Sequence, residues 1–475
     1  MITAVLPLLI PAFTVLVVMV GIAIKRNHRV TAALSCGGLV LSFVALWPAA
    51  GVAPVHLTPL LVIDQYALIY MGLVLAASAI VVLLSFPYLE GRSEHKEEFY
   101  LLLLLATEGS MVLAAASHMV SLFLALELLS ISLYALISYP RTEPLPLEAG
   151  IKYLVLAASS SAFLLFGLAL LYIAGGSMDL AGMTSFPTDG VARFSYLAGM
   201  VLVLTGIGFK LAVVPFHLWT PDVYQGAPLP VTAFVATVSK GGVFAFLLRW
   251  LSFGTGSPGA SVLPVFGVVA IASMLAGNLL ALRQTNLKRL LAYSSIAHMG
   301  YFFVAVVAGG DLGRPAATYY LAAYLVSILG AFGSLLMVSD DKHEAETLDD
   351  VHGLFWRRPA LACVFTAMIL SLAGIPLTAG FLGKFYVLTA GASVAAWTLI
   401  AVLIVSSTIG LVYYLRIIVA MFAETGGAPR SVSIPGSPFT SRVVLGLLTV
   451  CLLVLGVYPS PLWSAITAAA SSLSH

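Results

Sequence analysis

Apolar residues in this chain come in long continuous stretches rather than in alternation, and each stretch is about the roughly 20 residues that one bilayer-spanning helix needs. Lipid leaves only helices and closed barrels able to satisfy their own backbone groups, and a barrel strand would alternate its side chains. The pattern therefore predicts helices, about fourteen of them, near 2–24, 30–50, 65–88, 98–116, 119–139, 149–174, 195–222, 228–253, 261–283, 287–309, 314–339, 360–389, 394–423 and 440–458. The polar connections are short; the longest runs from Ser339 to Pro359.

Composition supports the same class. Of 475 residues, 61% are hydrophobic and 9% charged, against roughly 45–50% and about 25% in soluble domains. So much apolar surface must face lipid, which makes the chain an all-α polytopic membrane protein. A net charge of +2, carried by few and scattered basic residues, excludes a face for nucleic acid. Cys36, Cys363 and Cys451 each stand alone in an apolar run, so no CxxC pair, zinc site or iron–sulfur cluster is expected. The segment Met1 to Val20 lacks a basic leader region, and Lys25, Arg26 and Arg29 follow the apolar run. That order predicts a first spanning helix with its N-terminus outside rather than a cleaved signal.

Basic residues in short loops mark the cytoplasmic side. Loops after odd-numbered predicted helices hold about fourteen, among them Lys25, Arg92, Lys96, Arg141, Arg283, Lys288, Lys342 and Arg430. Loops after even-numbered ones hold Arg193, Arg249 and Arg314. Odd loops are therefore expected in the cytoplasm, with both termini outside. The residues after Pro461 are small and weakly amphipathic, and no function is assigned to them.

Two predicted helices are interrupted. The seventh reads GFKLAVVPFHLWTPDVYQGAP, with Pro215 and Pro221, and the twelfth LSLAGIPLTAGFLGKFYV, with Gly374, Pro376 and Gly380. Proline removes a helical hydrogen bond and kinks or breaks the helix, and freed carbonyls survive in lipid only where protein or water satisfies them. Paired interruptions in two halves of a chain point to a transport site. Pro215 and Pro376 lie about 160 residues and five predicted helices apart. A shift of five helices reverses direction, so helices 4–8 and 9–13 read as two inverted five-helix repeats. The expected units are 1–97 with the first three helices, 98–253 and 254–423 as the repeats, and 424–475 as the last helix and tail. Coincidence in a chain rich in glycine and proline is the alternative.

Charges inside these helices cost at least roughly 2.5–3.5 kcal/mol each at mid-membrane and point to function. Glu127 lies in SLFLALELLSISLYAL, Lys210 five residues before Pro215, Lys240 in TAFVATVSKGGVFAFLL, and Lys384 eight residues after Pro376. Desolvation favours the neutral form of a lysine, whereas a carboxylate within about 4–6 Å restores the charge. A lysine between these influences can exchange a proton when its partner moves. Glu127 is the natural partner for Lys210, because an acid and a base together cost less than either alone. A static ion pair with snorkelling lysines is the alternative, which suits Lys210 and Lys240 poorly, more than two turns from their helix ends. His298 in RLLAYSSIAHMGYFFV stands where it would bridge Lys240 and Lys384, or serve as a structural histidine. His217 lines a water path or caps freed carbonyls, Asp222 fixes the end of the broken helix, with proton carriage as the alternative, and Glu108 has no evident partner.

The stretch GFKLAVVPFHLWTPDVYQGAPLPVTAFVATVSK resembles the central signature of the antiporter-like subunits of respiratory complex I, multisubunit cation/proton antiporters and membrane-bound hydrogenases. ALELLSISLYAL, QTNLKRLLAYSSIAHMGY, GLFWRRP and MILSLAGIPLTAGFLGKFYVL look specifically like the subunit N type of NADH–quinone oxidoreductase, and the likeness runs nearly end to end. The resemblance implies fourteen helices with two inverted repeats, and a proton relay on Glu127, Lys210, Lys240 and Lys384, with His298 as a candidate link. Lys384 separates it from the M type, which tends to have glutamate there; the longer L type has a lateral C-terminal helix for which this chain has no room. Glu108 departs from the family pattern and receives no role. The implied setting is the bacterial inner membrane, among K-, J- and M-type membrane neighbours. NADH, FMN, iron–sulfur clusters and quinone are expected in other subunits, with no cofactor or metal in this chain. Coupling would then be indirect: redox chemistry elsewhere drives proton transfer here. An antiporter subunit without a redox enzyme and a structural scaffold are the rival readings. A membrane enzyme with its own catalytic centre is the weakest, since no metal-ligand cluster or nucleophile–base set stands out.

Overall fold

The apolar runs fold as helices throughout the described residues of a computed structural model, namely 1–92, 95–180, 182, 190–253, 257–340, 343–424 and 439–472. The chain opens with α1 (Ile2–Ile24), α2 (His28–Ala50) and α3 (Gln65–Glu90). The side chains of Asn27 and Asp64 accept from the backbone N–H of Val30 and Ala67, so α2 and α3 each begin on a residue suited to capping. Between them β1 (Val55–Thr58) and β2 (Leu61–Ile63) pair antiparallel, a small hairpin that the helical pattern did not anticipate.

There follow α4 (Glu97–Ala115), α5 (Met119–Ile137), α6 (Pro144–Gly175) and α7 (Gly190–Leu211). The short helices α8 (Trp219–Gly226) and α9 (Leu229–Phe234) lead through a π-helical turn (Val235–Ser239) into α10 (Lys240–Phe253). Next come α11 (Ser257–Leu282), α12 (Leu287–Ala308), α13 (Gly310–Val338) and the single turn α14 (Leu354–Arg357). The chain ends with α15 (Pro359–Ala373), α16 (Ala379–Ser393), α17 (Trp397–Phe422), α18 (Phe439–Val457) and α19 (Ser460–Ser471).

Among the described residues 13 helices are long and apolar enough to cross a membrane. The remaining predicted span, the twelfth, is the pair α15 and α16, each 15 residues long and so too short to cross alone. The bundle is layered by burial. The span Leu229–Phe253 is fully buried, α13 94% and α12 89%, whereas α1 is 22% buried. Three central elements thus carry the interior, and the outer helices present leucine and valine to lipid.

Both breaks fall where proline placed them. Residues 212–218 separate α7 from α8, and residues 374–378 separate α15 from α16. Each break also holds a non-glycine residue in the left-handed region, Ala212 at φ 58° and Leu377 at φ 70°, which costs about 1–2 kcal/mol per residue. Neighbouring groups satisfy the freed backbone: Trp219 Nε1 donates to the Phe209 carbonyl at 3.0 Å, and Val214 N to Ser273 Oγ at 3.0 Å.

The three basic residues assigned to loops after even-numbered helices lie inside helices instead. Arg193 is in the first turn of α7, Arg314 near the start of α13, and Arg249 in α10. Arg249 makes a buried ion pair with Asp64, at 2.6 and 2.8 Å, and donates to the Ala114 carbonyl at 3.1 Å. It is a structural group rather than a topology signal. Lys342 and Arg430 lie outside the described residues.

Candidate functional site

Lys210 is the penultimate residue of α7, two residues before the left-handed Ala212, and only 5% of it is exposed. Its ammonium donates to Tyr153 Oη of α6 at 3.0 Å and lies 5.3 Å from that ring's centre. Trp219, the first residue of α8, packs on the same ring at 4.9 Å. Glu127 is half-buried on α5 and accepts a 2.5 Å hydrogen bond from Ser161 Oγ. Glu127 and Lys210 thus make no direct hydrogen bond, although the charge of the carboxylate still reaches the lysine. Their anchors on α6, Tyr153 and Ser161, are eight residues apart, or about 12 Å along a helix at 1.5 Å per residue. Tyr153 supplies the polar contact that the carboxylate was expected to provide.

Lys240 follows the π-helical turn, whose sequence VATVS places three β-branched residues in five; such side chains crowd a regular helix, and π turns recur at functional sites. The Lys240 ammonium donates to Ser295 Oγ of α12 at 2.6 Å and lies 5.8 Å from the Tyr224 ring centre of α8. Ser295 also meets Tyr324 Oη of α13 at 2.6 Å. The half-helix α8 thus lies between two lysines, with Trp219 on the Lys210 side and Tyr224 on the Lys240 side.

His298 occupies the next turn of α12. Its Nδ1 pairs with Tyr320 Oη at 2.7 Å and its Nε2 with Tyr414 Oη at 3.2 Å, and Tyr414 in turn meets Ser294 Oγ at 2.5 Å. The imidazole lies 5.3 Å from the tilted ring of Tyr324, the Ser295 partner, and meets Tyr301 edge-on at 5.4 Å. Lys384 lies 5.2 Å from that same Tyr301 ring. His298 accordingly stands between the two lysines, reaching Lys240 through Tyr324 and Ser295 and Lys384 through Tyr301.

Lys384 docks on the second break. Its ammonium donates to the carbonyls of Leu372 and Ala373, at 3.0 and 2.7 Å, and to Ser407 Oγ of α17 at 2.8 Å. The last carbonyls of a helix carry partial negative charge, so the end of α15 serves as its counter-charge without a carboxylate. A Cβ on Gly374, which sits at φ +88°, would lie 2.8 Å from Lys384 Cδ and 3.1 Å from its Nζ. Only glycine leaves the lysine room.

Tyr153, Ser295, Tyr324, Tyr414 and Ser407 escaped the sequence reading. Serine and tyrosine are ordinary in membrane bundles, and their pairing spans helices far apart in the chain. Asp222 ties α8 to α6 and α12 through Lys152 at 3.0 Å and Arg289 at 2.7 Å. His217 is buried within the first break, and its Nδ1 has no hydrogen-bond partner among the described residues. Glu108 is intramembrane on α4, and its Oε2 is likewise unpartnered there. Among the described residues no group of three or more His, Cys, Asp and Glu side chains lies close enough to hold a metal.

The chain has relatives of known family and structure. Residues 116–410 match the family described as NADH:quinone oxidoreductase/Mrp antiporter, TM. A curated relative, NADH-quinone oxidoreductase subunit N of Ectopseudomonas mendocina (strain ymp), is 48% identical over 98% of this chain and 96% of its own. A chain in the structure of respiratory complex I from Thermus thermophilus with bound aureothin is 34% identical. It superposes with a TM-score of 0.84, covering 98% of this chain and all of that one. A chain of the Mrp complex from Dietzia sp. DQ12-45-1b shares the fold at a TM-score of 0.87 and 22% identity, covering 100% of this chain and 98% of that one. The chain belongs to the NADH:quinone oxidoreductase/Mrp antiporter transmembrane family, and within it to subunit N of NADH-quinone oxidoreductase.

Proposed function

We propose that this subunit translocates protons through a relay on Lys210, Lys240, His298 and Lys384, with Glu127 setting the charge beside Lys210. One observation carries the reading: three lysines at membrane depth, each 7% exposed or less, stand at two helix breaks and a π turn. Hydroxyls and a histidine fill the space between them. An isolated lysine there is costly; one that trades its proton with a hydroxyl-lined neighbour is a working part.

Quinone reduction proceeds in other subunits, which hold NADH, FMN, iron–sulfur clusters and quinone. This chain contributes the proton path. A proton enters from the cytoplasm, rests on Lys210 or Lys240, passes His298 and reaches Lys384. It leaves to the outside when the Glu127 and Lys210 side chains, now on separate α6 partners, change their separation. Residues 98–253 and 254–423 act as inverted repeats, each contributing one break, flanked by 1–97 and 424–475. The subunit sits in a bacterial inner membrane among K-, J- and M-type neighbours, with both termini on the periplasmic side.

The test is NADH-driven proton pumping together with quinone reductase activity, in vesicles carrying Lys210→Ala in the assembled complex. Both activities should collapse while assembly persists. Wild-type pumping and turnover would remove Lys210 from the path and favour a scaffold role.

A further inference from the structure

Residues 343–350, which follow α13, lie against the bundle, and the carboxylate of Glu344 reaches beneath the surface there. Its Oε2 accepts from Lys288 Nζ of α12 at 2.7 Å. Its Oε1 accepts from Tyr88 Oη at 2.5 Å, from Arg92 Nη1 at 3.3 Å, and from the Leu229 backbone N–H at 3.2 Å. Lys288 is 1% exposed, also donates to the Ala227 carbonyl at 2.8 Å, and has a second carboxylate, Glu346, at 3.7 Å. One carboxylate therefore gathers the end of α3, the start of α12 and the link between α8 and α9.

The contact with Leu229 sets what this cluster does. Leu229 is the first residue of α9, and Pro228 before it offers no side-chain cap. An orphan N–H of a helix start needs an acceptor, and negative charge there is favoured by the helix dipole. Glu344 supplies both from a distant part of the chain. From Leu229 the chain runs without interruption through α9 and the π turn to Lys240. On the other wall, Lys288 stands seven residues before Ser295, the partner of Lys240, on the same face of α12 by helical periodicity. Both groups that define the Lys240 contact are thus referenced to Glu344.

We propose that Glu344 is a positioning residue for Lys240: it caps α9 in trans and holds Lys288, and so sets the distance between Lys240 and Ser295 from the surface loop. The proposal rests on the reading of Lys240 as a proton carrier. A loop that other subunits or the solvent can reach thereby bears on a lysine about 16 Å deeper, eleven residues on at 1.5 Å each.

The experiment compares Glu344→Gln and Glu344→Ala in the assembled complex, reading protons pumped per electron and the pH profile of pumping, with Lys240→Ala alongside. Glutamine keeps an acceptor for Leu229 but loses the nearer of the two charges facing Lys288, leaving Glu346 at 3.7 Å; alanine loses both the acceptor and that charge. The expected result is a several-fold fall in pumping for alanine, a smaller one for glutamine, and a displaced pH profile in each. A purely structural brace would leave that profile in place. Wild-type ratios and profiles in both variants would overturn the proposal, and so would failure of both to assemble, since Glu344 would then hold the fold rather than Lys240. If Lys240→Ala itself pumps normally, it is the relay reading that fails; if only the Glu344 variants pump normally, the relay stands and the positioning role falls.

Discussion

At Lys240 an ammonium with one side-chain acceptor, Ser295 Oγ, is held by a group that also serves Tyr324. A hydrogen bond to a charged group is worth about 1.5–3 kcal/mol. Ser295→Ala should therefore slow pumping about tenfold or more, if that energy is expressed in the transfer step. NADH-driven proton uptake by the assembled complex measures it, and an unchanged rate would place Ser295 outside the path. Lys384 differs in kind. Its partners include two carbonyls at the end of α15, so no single side-chain substitution strips it. Lys210, Lys240 and Lys384 were all legible in the sequence, because a charge in an apolar run is conspicuous. Their neutral partners were not, because serine and tyrosine at a helix interface look the same whether or not they face a lysine.

At the scale of elements, the second break depends on how closely α15 and α16 meet. A Cβ on Gly380 would lie 1.9 Å from the Ser371 carbonyl oxygen and 2.7 Å from its carbon. Backbone cannot yield as a flexible side chain does, so Gly380→Ala must push α16 away and lift Lys384 from its carbonyls. Loss of pumping with weakened assembly is expected. Gly446→Ala on α18, where a Cβ meets nothing within 4 Å, should behave as wild type; equal behaviour of the two variants in a pumping assay would refute the packing argument. The prolines announced both breaks in advance. Ala212 and Leu377 at positive φ did not appear, since nothing in an alanine or leucine marks a left-handed residue. The C-terminal stretch, assigned no function from its small residues, forms α19 and stacks Trp463 on Tyr386 of α16 at 4.1 Å.

Across the whole molecule, α3 is pinned at both ends. Asp64 at its start pairs with Arg249, and Tyr88 and Arg92 at its end meet Glu344. Burial raises the Glu344 carboxyl, but the charge of Lys288, the hydrogen bonds from Lys288 and Tyr88, and the charge of Arg92 outweigh it and hold the group below the ordinary carboxylate range. A carboxylate lowered in the folded state stabilises it above the unfolded value, about 4.3 for glutamate, and that contribution fades as pH falls through the folded value. Wild type should therefore melt above Glu344→Gln at pH 7, with the gap closing below about pH 4. Thermal unfolding of the detergent-solubilised complex reads this directly; a gap that persists in acid would show that packing, not charge, is what the substitution alters.

The sequence by itself determined the membrane class, the number of spans, the two breaks and the depth of the lysines, because hydrophobic period, proline chemistry and the cost of a buried charge are local properties. Only the tertiary structure decided who answers each charge. It gave Lys210 a tyrosine as its hydrogen-bond partner, Lys384 the end of a helix, Arg249 a buried Asp64, and Glu344 a cap to supply from more than a hundred residues away. Those partners lie far along the chain and come together only when helices pack, and the choice among polar groups of equal reach is made by packing rather than by pattern.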